Sequence, residues 1–285
     1  MGKTRADHGF LLPLVSRACA YLLLAMLVIF VAFPFFWVIT ASFKPAKYII
    51  TQKIYLFPPE LTLDHYMTIF RYGNFARFFF NSTVISLSTV ALSFLVVVPA
   101  AYAITILRLR GGQFFSRIIL SLQMIPGILL IVSLYLILKT FRLLDTYYGL
   151  IVSYTTFTLP FCFLLTQAYF LSLPLELFES AFIDGASTRQ ALVKIAIPLS
   201  APGLMTASVY AFLRAWNDFM FANTFTTSAS ARTLTVEVSR LLGVWGTEWG
   251  ALTAGATVTT LPVLLLFILA QRYIVEGLTA GAVKG

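Results

Sequence analysis

The composition of this 285-residue chain excludes a water-soluble globule, because hydrophobic residues make up 59% of it and charged residues only 11%, against about 25% in soluble proteins. Its 27 Phe and 13 Tyr residues exclude a disordered chain, and two Cys residues are too few for a disulfide scaffold. With a net charge of +9 and a mean hydropathy of +0.89, it is predicted to be an integral membrane protein.

The uncharged segments predict an all-α fold with six transmembrane helices. A spanning helix needs about 20 mostly apolar residues. Uncharged runs of suitable length cover residues 18–43, 78–107, 118–138, 146–175, 195–213 and 249–271. We interpret the shorter uncharged segment 219–231 as the end of the fifth helix followed by a loop. A β-barrel would show alternating segments of about 10 residues instead of these long runs.

The first run predicts an uncleaved helix and not a signal peptide. Lys3, Arg5 and Arg17 precede it, but its length exceeds the roughly 7–15 apolar residues of a signal peptide. An even number of helices places both termini on one side of the membrane. Ten basic residues lie on that side and nine on the other, so only the acid-free, arginine-rich loop 108–117 favours termini inside.

Each predicted helix contains at least one proline. The positions considered as kinks are Pro34, Pro99, Pro126, Pro160, Pro202 and Pro262. Prolines are common in membrane helices, but kinks at these positions would also suit a pathway that opens and closes.

Residues 44–77 form a long segment between the first two helices. Leu63, Tyr66, Met67 and Phe70 recur there at helical spacing. This predicts a short helix that either lies at the membrane interface or packs against the rest of the protein.

Sequence signatures of soluble enzymes are absent. The chain has no phosphate-binding Gly-x4-Gly-Lys-Ser/Thr loop, so it is not expected to bind ATP through one. His8 and His65 are isolated, and Cys19 and Cys162 stand alone in apolar runs, so we predict no metal site. We therefore expect no catalytic residues, no bound cofactor and no enzymatic activity in this chain.

Arg214 and Asp218 are the ionisable residues predicted within the membrane. Placed four residues apart on the fifth helix, they would share one face and form either a structural ion pair or part of a pathway. A proton-coupled carrier would be expected to show more such groups, on several helices. Tyr135, Tyr154 and Trp216 are candidates for stacking on the ring of a bound solute, although Tyr and Trp are also common interface anchors.

Residues 172–199 predict a helix–glycine–helix unit outside the membrane. Leu175, Phe178 and Phe182 form an apolar stripe, and Gly185 is placed to end the first helix in the left-handed conformation. Ser187 and Gln190 then have capping-box spacing, which begins a second helix that Pro198 is predicted to stop. The apolar stripe would either enter a partner's groove or rest on lipid.

This unit resembles the "EAA" loop of ABC importer permeases. Glu179-Ser180-Ala181, three residues, Gly185, nine residues and then Ile195-Ala-Ile197-Pro198 match the family pattern throughout, apart from Ser180 and Ile197. The resemblance implies contacts with ATPase subunits. The residues expected to take part in this coupling are Glu179, Ala181, Asp184, Gly185, Arg189, Ile195 and Pro198.

Two further stretches resemble the second permease subunit of maltose-type carbohydrate importers. They are Trp216-Asn217-Asp218-Phe219 and the C-terminal residues 271–285. The resemblance implies a type I ABC importer permease in a prokaryotic inner membrane, with both termini and the EAA loop cytoplasmic. It divides the chain into residues 1–77, a permease core 78–272 and a C-terminal tail 273–285.

The resemblance also implies the partners. They are a second, related permease subunit, two ATPase subunits that bind ATP and Mg²⁺, an extracytoplasmic sugar-binding protein and membrane lipid; nucleic acid is not expected. Gly277, Thr279 and Gly281 make the tail a poor lone helix, so it is expected to order on the ATPases. Alternatives are an ABC permease for another nutrient or, less favoured, an ion-coupled secondary carrier.

Overall fold

The computed structural model describes the backbone of residues 8–71, 74–243 and 246–282. Lys3, Arg5 and Lys284, which entered the charge argument, lie outside these residues. The described chain is almost entirely helical. Its α-helices are α1 His8–Ser42, α2 Asp64–Arg71, α3 Phe75–Thr105, α4 Gly112–Leu122, α5 Ile131–Thr140, α6 Tyr147–Leu171, α7 Glu176–Ile183, α8 Thr188–Ala191, α9 Ile197–Leu199, α10 Ala201–Trp216, α11 Met220–Phe225, α12 Leu234–Arg240 and α13 Trp249–Ala282. Strands β1 Leu242–Gly243 and β2 Gly246–Thr247 pair antiparallel.

Four of the six predicted transmembrane helices are continuous. Within the described residues, α1, α3, α6 and α13 are each long and apolar enough to cross a membrane. The third and fifth predicted helices are instead bent pairs, which raise the number of spans to six if each pair crosses once. The structure thus has four to six candidate spans, with six as the upper number, and two of the predicted helices are wrong as single helices.

The third span breaks between Leu122 and Gly127, and its two parts meet at 91°. Pro126 has no amide hydrogen to continue the helical ladder. The amides just before it donate instead to carbonyls three residues back, as from Met124 to Ser121 at 3.1 Å, and a 3₁₀ turn then covers Gly127–Leu130. The uncharged run 118–138 therefore breaks at Pro126 and does not form one helix.

The fifth span bends by 79° between Leu199 and Ala201. Before the bend, a π-helical turn Leu192–Ala196 links α8 to α9, and the amide of Ile197 donates to the carbonyl of Leu192. The helix then ends at Leu199, one residue after Pro198, so its predicted end is confirmed to within one residue. The span then ends at Trp216, and α11 is a separate helix, which corrects the interpretation of 219–231.

The C-terminal tail continues α13 as far as Ala282. The sequence predicted that this segment would be a poor helix by itself. In the structure it extends a helix that is already formed. Adding residues to a formed helix avoids the cost of nucleation, which is the costly step for an isolated segment. Residues 283–285 lie outside the described part of the chain.

Three helices, α3, α6 and α10, form the centre of the bundle. The facing sides of α3 and α6 carry buried hydroxyl groups, and Ser93 lies 2.9 Å from Thr158 across the contact. Small hydroxyl side chains of this kind allow membrane helices to approach closely. In contrast, α1 packs against α13 and leaves its apolar residues exposed, as expected for a lipid-facing helix.

The helix predicted near Leu63 is α2, and it packs against the rest of the protein, which is one of the two predicted alternatives. Ile69 is buried against the bundle, and the hydroxyl of Tyr66 lies 2.7 Å from that of Ser42 at the end of α1. Leu63, Met67 and Phe70 stay exposed. The helix therefore packs on the protein through one side and presents an apolar side outward.

A loop after α11 is tied to the ends of α3 and α6. The side-chain amide Nδ2 of Asn81 on α3 donates to the carbonyl of Ser230 at 3.2 Å and to that of Arg232 at 2.8 Å. Asp145, just before α6, accepts from the backbone amides of Thr227 and Ser228, both at 3.1 Å. The loop is thus fixed at the end of the bundle opposite α7.

Candidate functional site

The predicted helix–glycine–helix unit is present, and we name residues 176–199 the EAA unit. Gly185 adopts the left-handed conformation, with φ of +84°. Beyond it, the amide of Ala186 donates to the carbonyl of Ala181 at 2.9 Å, and that of Gly185 donates to Phe182 at 3.1 Å. This pair of bonds is a Schellman motif, which ends α7. The unit's turn is therefore built by hydrogen bonds local to the sequence.

The second half of the EAA unit begins with the predicted capping box. The hydroxyl of Ser187 accepts from the amide of Gln190 at 3.3 Å, and the Gln190 side chain accepts from the amide of Ser187 at 2.8 Å. Both bonds satisfy amides that the first turn of a helix leaves unpaired. The angle between the two helices is consequently fixed.

The inner face of the EAA unit packs on the transmembrane bundle. Phe178 is only 1% exposed, and its ring centroid lies 6.1 Å from that of Tyr102 on α3. Tyr102 in turn contacts Phe170 on α6 at 6.2 Å. The predicted stripe of Leu175, Phe178 and Phe182 was expected to need a partner's groove or lipid to cover it. Phe178 is instead covered by the bundle itself and is part of its core.

The outer face of the EAA unit carries exposed apolar residues, one of which, Phe182, was predicted in the stripe with Phe178. Ile183 is 86% exposed, and Leu177 and Phe182 are also exposed. Around them lie most of the residues expected to couple to ATPases. Glu179, Asp184, Arg189 and Pro198 are exposed and Ala181 is half-buried, whereas Ile195 packs inward. The unit thus has one face fixed to the bundle and one free face.

Arg214 and Asp218 do not form the predicted ion pair. Among the described residues, oppositely charged side chains within 4.0 Å join Lys47 to Glu60 and Arg232 to Glu237. Because α10 ends at Trp216, Asp218 is not one helical turn above Arg214. Its carboxylate instead accepts from the hydroxyl of Tyr154 at 3.0 Å and from the amides of Phe221 and Ala222 at 3.1 and 3.2 Å, which caps α11.

Two of the three candidate stacking aromatics are inaccessible. Trp216 is 1% exposed, stacks on Phe212 at 5.4 Å and donates its indole N–H to the carbonyl of Thr259 at 3.1 Å. Tyr154 is buried beside Asp218. Trp216 is therefore a core residue and not a pathway residue, while Asn217 next to it is exposed and borders a cavity.

A cavity of about 340 Å³ lies at the broken third span. Gln123 and Pro126 line it from the break, Thr156 and Pro160 from the middle of α6, and Tyr210 and Arg214 from α10. Non-helical backbone at membrane depth is tolerated where it lines such a space. Its volume falls in the range of about 300–1,000 Å³ that is typical of small-molecule sites.

Sequence reasoning found Arg214 but missed Gln123 and Tyr210, which meet it at the cavity. The signal for Gln123 was its place just before Pro126 in an otherwise apolar run. Tyr210 lies one helical turn before Arg214, and its hydroxyl contacts the guanidinium. No group of three or more His, Cys, Asp and Glu that could hold a metal ion occurs among the residues that the structure describes.

Comparison with known proteins decides the family. The family of binding-protein-dependent transport system inner membrane components matches residues 98–279, which include the EAA unit, α10 and the cavity. The chain belongs to this family. The permease is therefore a multi-pass inner-membrane protein.

Two curated relatives are similar over nearly the whole permease. The inner membrane ABC transporter permease protein YcjP of Escherichia coli is 37% identical over 273 residues, which cover 95% of this chain and 98% of that protein. The trehalose transport system permease protein SugB of Mycobacterium tuberculosis is 36% identical over 272 residues, which cover 94% and 98%. Both are transport permeases, which confirms that this chain is an ABC transport subunit and not an enzyme.

A solved structure shares the fold. A chain of a bacterial ABC transporter involved in the import of the acidic polysaccharide alginate is 20% identical, with a TM-score of 0.79, over 95% of this chain and 100% of that one. The predicted all-α, type I importer permease fold is thereby confirmed.

Proposed function

We propose that this permease moves a sugar across the cytoplasmic membrane and that its EAA unit couples this movement to partner ATPase subunits. The observation that carries the coupling proposal is the two-faced EAA unit. Phe178 fixes it to α3 and α6, while Ile183 and its charged neighbours remain free on the outside. A helix that is rigidly attached on one side and exposed on the other is suited to receive a push and pass it inward.

A sugar substrate is supported by two sequence likenesses. A relative similar over almost the full length is named for trehalose transport. The segment 216–219 and the C-terminal residues resemble the second permease subunit of maltose-type carbohydrate importers. Both place the substrate among sugars without naming which one.

The proposed assembly contains four kinds of partner. A second, related permease subunit completes the pathway, two ATPase subunits bind ATP and Mg²⁺, a binding protein delivers the sugar from outside, and lipid surrounds the spans. The EAA unit and both termini then lie in the cytoplasm. The loop 226–233 lies at the other end of the bundle and faces the binding protein.

The mechanism follows from the packing of the EAA unit. Closure of the ATPase pair would push on the outer face of α7. Since Phe178, Tyr102 and Phe170 are close-packed, the push passes to α3 and α6 with little local deformation. The second route is the helix α8–α9, which meets α10 at Ser200 and so reaches Arg214 at the cavity.

The experiment compares two glycines with the same backbone conformation. Gly185 has φ of +84° and Gly111, in the loop before α4, has φ of +81°, and a Cβ would meet no atom within 4 Å at either. Gly185→Val and Gly111→Val should therefore carry a similar strain of about 1–2 kcal/mol. Gly185→Val is expected to lose ATPase co-purification, or the stimulation of ATP hydrolysis by loaded binding protein, while Gly111→Val keeps both.

Charge reversal at the start of α7 provides a second variant. Glu179→Lys places a cation at the positive end of the helix and changes the outer face without touching Phe178. It should assemble with the other permease subunit and fail in coupling. Normal co-purification and normal ATPase stimulation in both Gly185→Val and Glu179→Lys would overturn the coupling proposal.

A further inference from the structure

Arg214 is a cation in the wall of the mid-membrane cavity. It lies in the last turn of α10, and the cavity at the broken third span shares both Tyr210 and Arg214 with a second cavity that reaches Asn217 and Asp218. The first cavity opens toward the middle of α6, at Thr156 and Pro160. Arg214 is exposed, so its guanidinium faces the open space of both cavities and is not packed among side chains.

The charged surroundings of Arg214 are sparse. Its neighbours are the hydroxyl of Tyr210 and, beyond ion-pair distance, the carboxylate of Asp218. Asp218 already accepts three hydrogen bonds on one oxygen, from Tyr154, Phe221 and Ala222. The other residues lining the two cavities carry no ionisable carboxyl or amino group.

An arginine at membrane depth is costly and is normally paired or exposed to a pathway. Here the ion pair is missing among the described residues, and the exposure is to a cavity lined by broken helix. A guanidinium offers a planar fork of N–H donors that matches carboxylate, sulfonate or phosphate oxygens in a bidentate manner. Gln123, Thr156 and Tyr210 offer uncharged hydrogen-bonding groups suited to hydroxyls in the same space.

We propose that this cavity is a substrate-contact site for an acidic sugar, with Arg214 binding its negatively charged group and Gln123, Thr156 and Tyr210 binding its hydroxyls. The inference rests on the proposed function and narrows its substrate class. A neutral sugar leaves the guanidinium with no anion among the described residues nearer than the Asp218 carboxylate, which lies beyond ion-pair distance, whereas an anionic group supplies one in direct contact.

The experiment measures equilibrium binding to the complete importer complex in nanodiscs, without nucleotide or binding protein. The probes are three pairs of sugars in which one member carries an acidic group that the other lacks: digalacturonate and its carboxyl-reduced form, sulfoquinovose and glucose, and glucose 6-phosphate and glucose. The wild-type complex should bind the acidic member of at least one pair at least about tenfold more tightly, the effect of one charge-assisted hydrogen bond.

Three variants test whether Arg214 causes the preference for the acidic sugar. Arg214→Gln should remove the charge preference, and Arg214→Lys should keep part of it. Arg240→Gln changes an exposed arginine at the end of α12, away from the cavity, and should bind like the wild type.

The contrary outcomes are distinct. No preference in any pair with wild-type complex, or a preference that survives Arg214→Gln, would overturn the acidic-sugar proposal. An Arg214→Gln chain that no longer assembles with the second permease subunit would also overturn it, because Arg214 would then belong to the subunit contact. If one of these outcomes is found and the importer still takes up a neutral sugar with ATP, the proposed function stands and only the acidic-sugar proposal fails. If the importer takes up no sugar at all, the result counts against both proposals.

Discussion

Two spans of this permease are broken, and the two breaks are built differently. At the third span, α4 and the helix after Pro126 meet at 91°, and Met124 beside the break is 83% exposed. At the fifth span, α9 and α10 meet at 79°, but Ser200 at the bend is completely buried. Gly203 on the next turn lies so close to Tyr169 of α6 that a Cβ there would overlap its ring.

The two bends suit different tasks, the transmission of motion and the passage of a solute. A bend whose backbone and neighbours are close-packed moves as a unit, because packed interiors are nearly incompressible. A bend that faces open space leaves polar backbone available to water or a solute. We infer that the bend at Ser200 carries motion from the EAA unit, whereas the break at Pro126 forms part of the pathway.

The largest expected effect tests, within the single helix α7, the difference between a close-packed region and an open one. Phe178→Ala removes the ring that joins α7 to Tyr102 and should destabilise the permease by about 3–5 kcal/mol, as for other buried aromatic truncations. Ile183→Ala, five residues on and 86% exposed, should leave stability unchanged and weaken ATPase binding. Thermal unfolding of the purified permease pair and co-purification of ATPase measure the two effects. Equal loss of stability in both variants would contradict the two-faced description of α7.

A smaller loss of stability is expected on substitution of Asp218, and it tests whether Asp218 caps α11 or pairs with Arg214 at the cavity. Asp218→Ala removes the cap of α11 and should cost about 0.5–2 kcal/mol, while Asp218→Asn can still accept the same amide bonds and should cost little. Exchanging the residues, Arg214→Asp with Asp218→Arg, should not restore stability, because the two do not pair. Thermal unfolding of the wild type, the two Asp218 variants and the exchanged variant gives the order of their stabilities. Restored stability in the exchanged variant would show that the ion pair exists.

The smallest effect concerns the loop at the opposite end. Partial burial raises the pKa of the Asp145 carboxyl, but hydrogen bonds from Ser228 and Thr227 outweigh this and hold that pKa below its ordinary value. The stabilisation is therefore complete above the unfolded pKa of about 3.9 and is lost as the pH falls through the lower folded pKa. Proteolysis of the loop 226–233 should increase below that pH in the wild type. Asp145→Asn should show no such step, and a step in both would assign the effect to another group.

Local features of the EAA unit could be predicted from the sequence, because they depend on neighbouring residues. Gly185 and the pair Ser187 and Gln190 determine a helix end and a helix start through bonds within five residues. The break at Pro126 was signalled by its proline, but prolines inside α3, α6 and α13 leave those helices continuous. Sequence alone therefore did not separate a kink from a break.

Features that depend on distant parts of the chain could not be predicted. The apolar stripe at Phe178 looked unpartnered because Tyr102, which covers it, lies in another helix. Arg214 and Asp218 looked like a pair because nothing in the local sequence ends α10 at Trp216. Tyr210 and Gln123 become neighbours of one cavity only when the broken third span folds against α10.

The central claim is that the outer face of α7 docks on an ATPase subunit, and site-specific photo-crosslinking tests it most directly. A photoreactive residue at position 183 should crosslink to an ATPase subunit in the assembled importer. The same residue at position 148, where Tyr148 is 73% exposed at the other end of the bundle, should not. An ATPase crosslink from position 183 alone is the predicted result. Its absence in an assembled, ATP-hydrolysing complex would contradict the account.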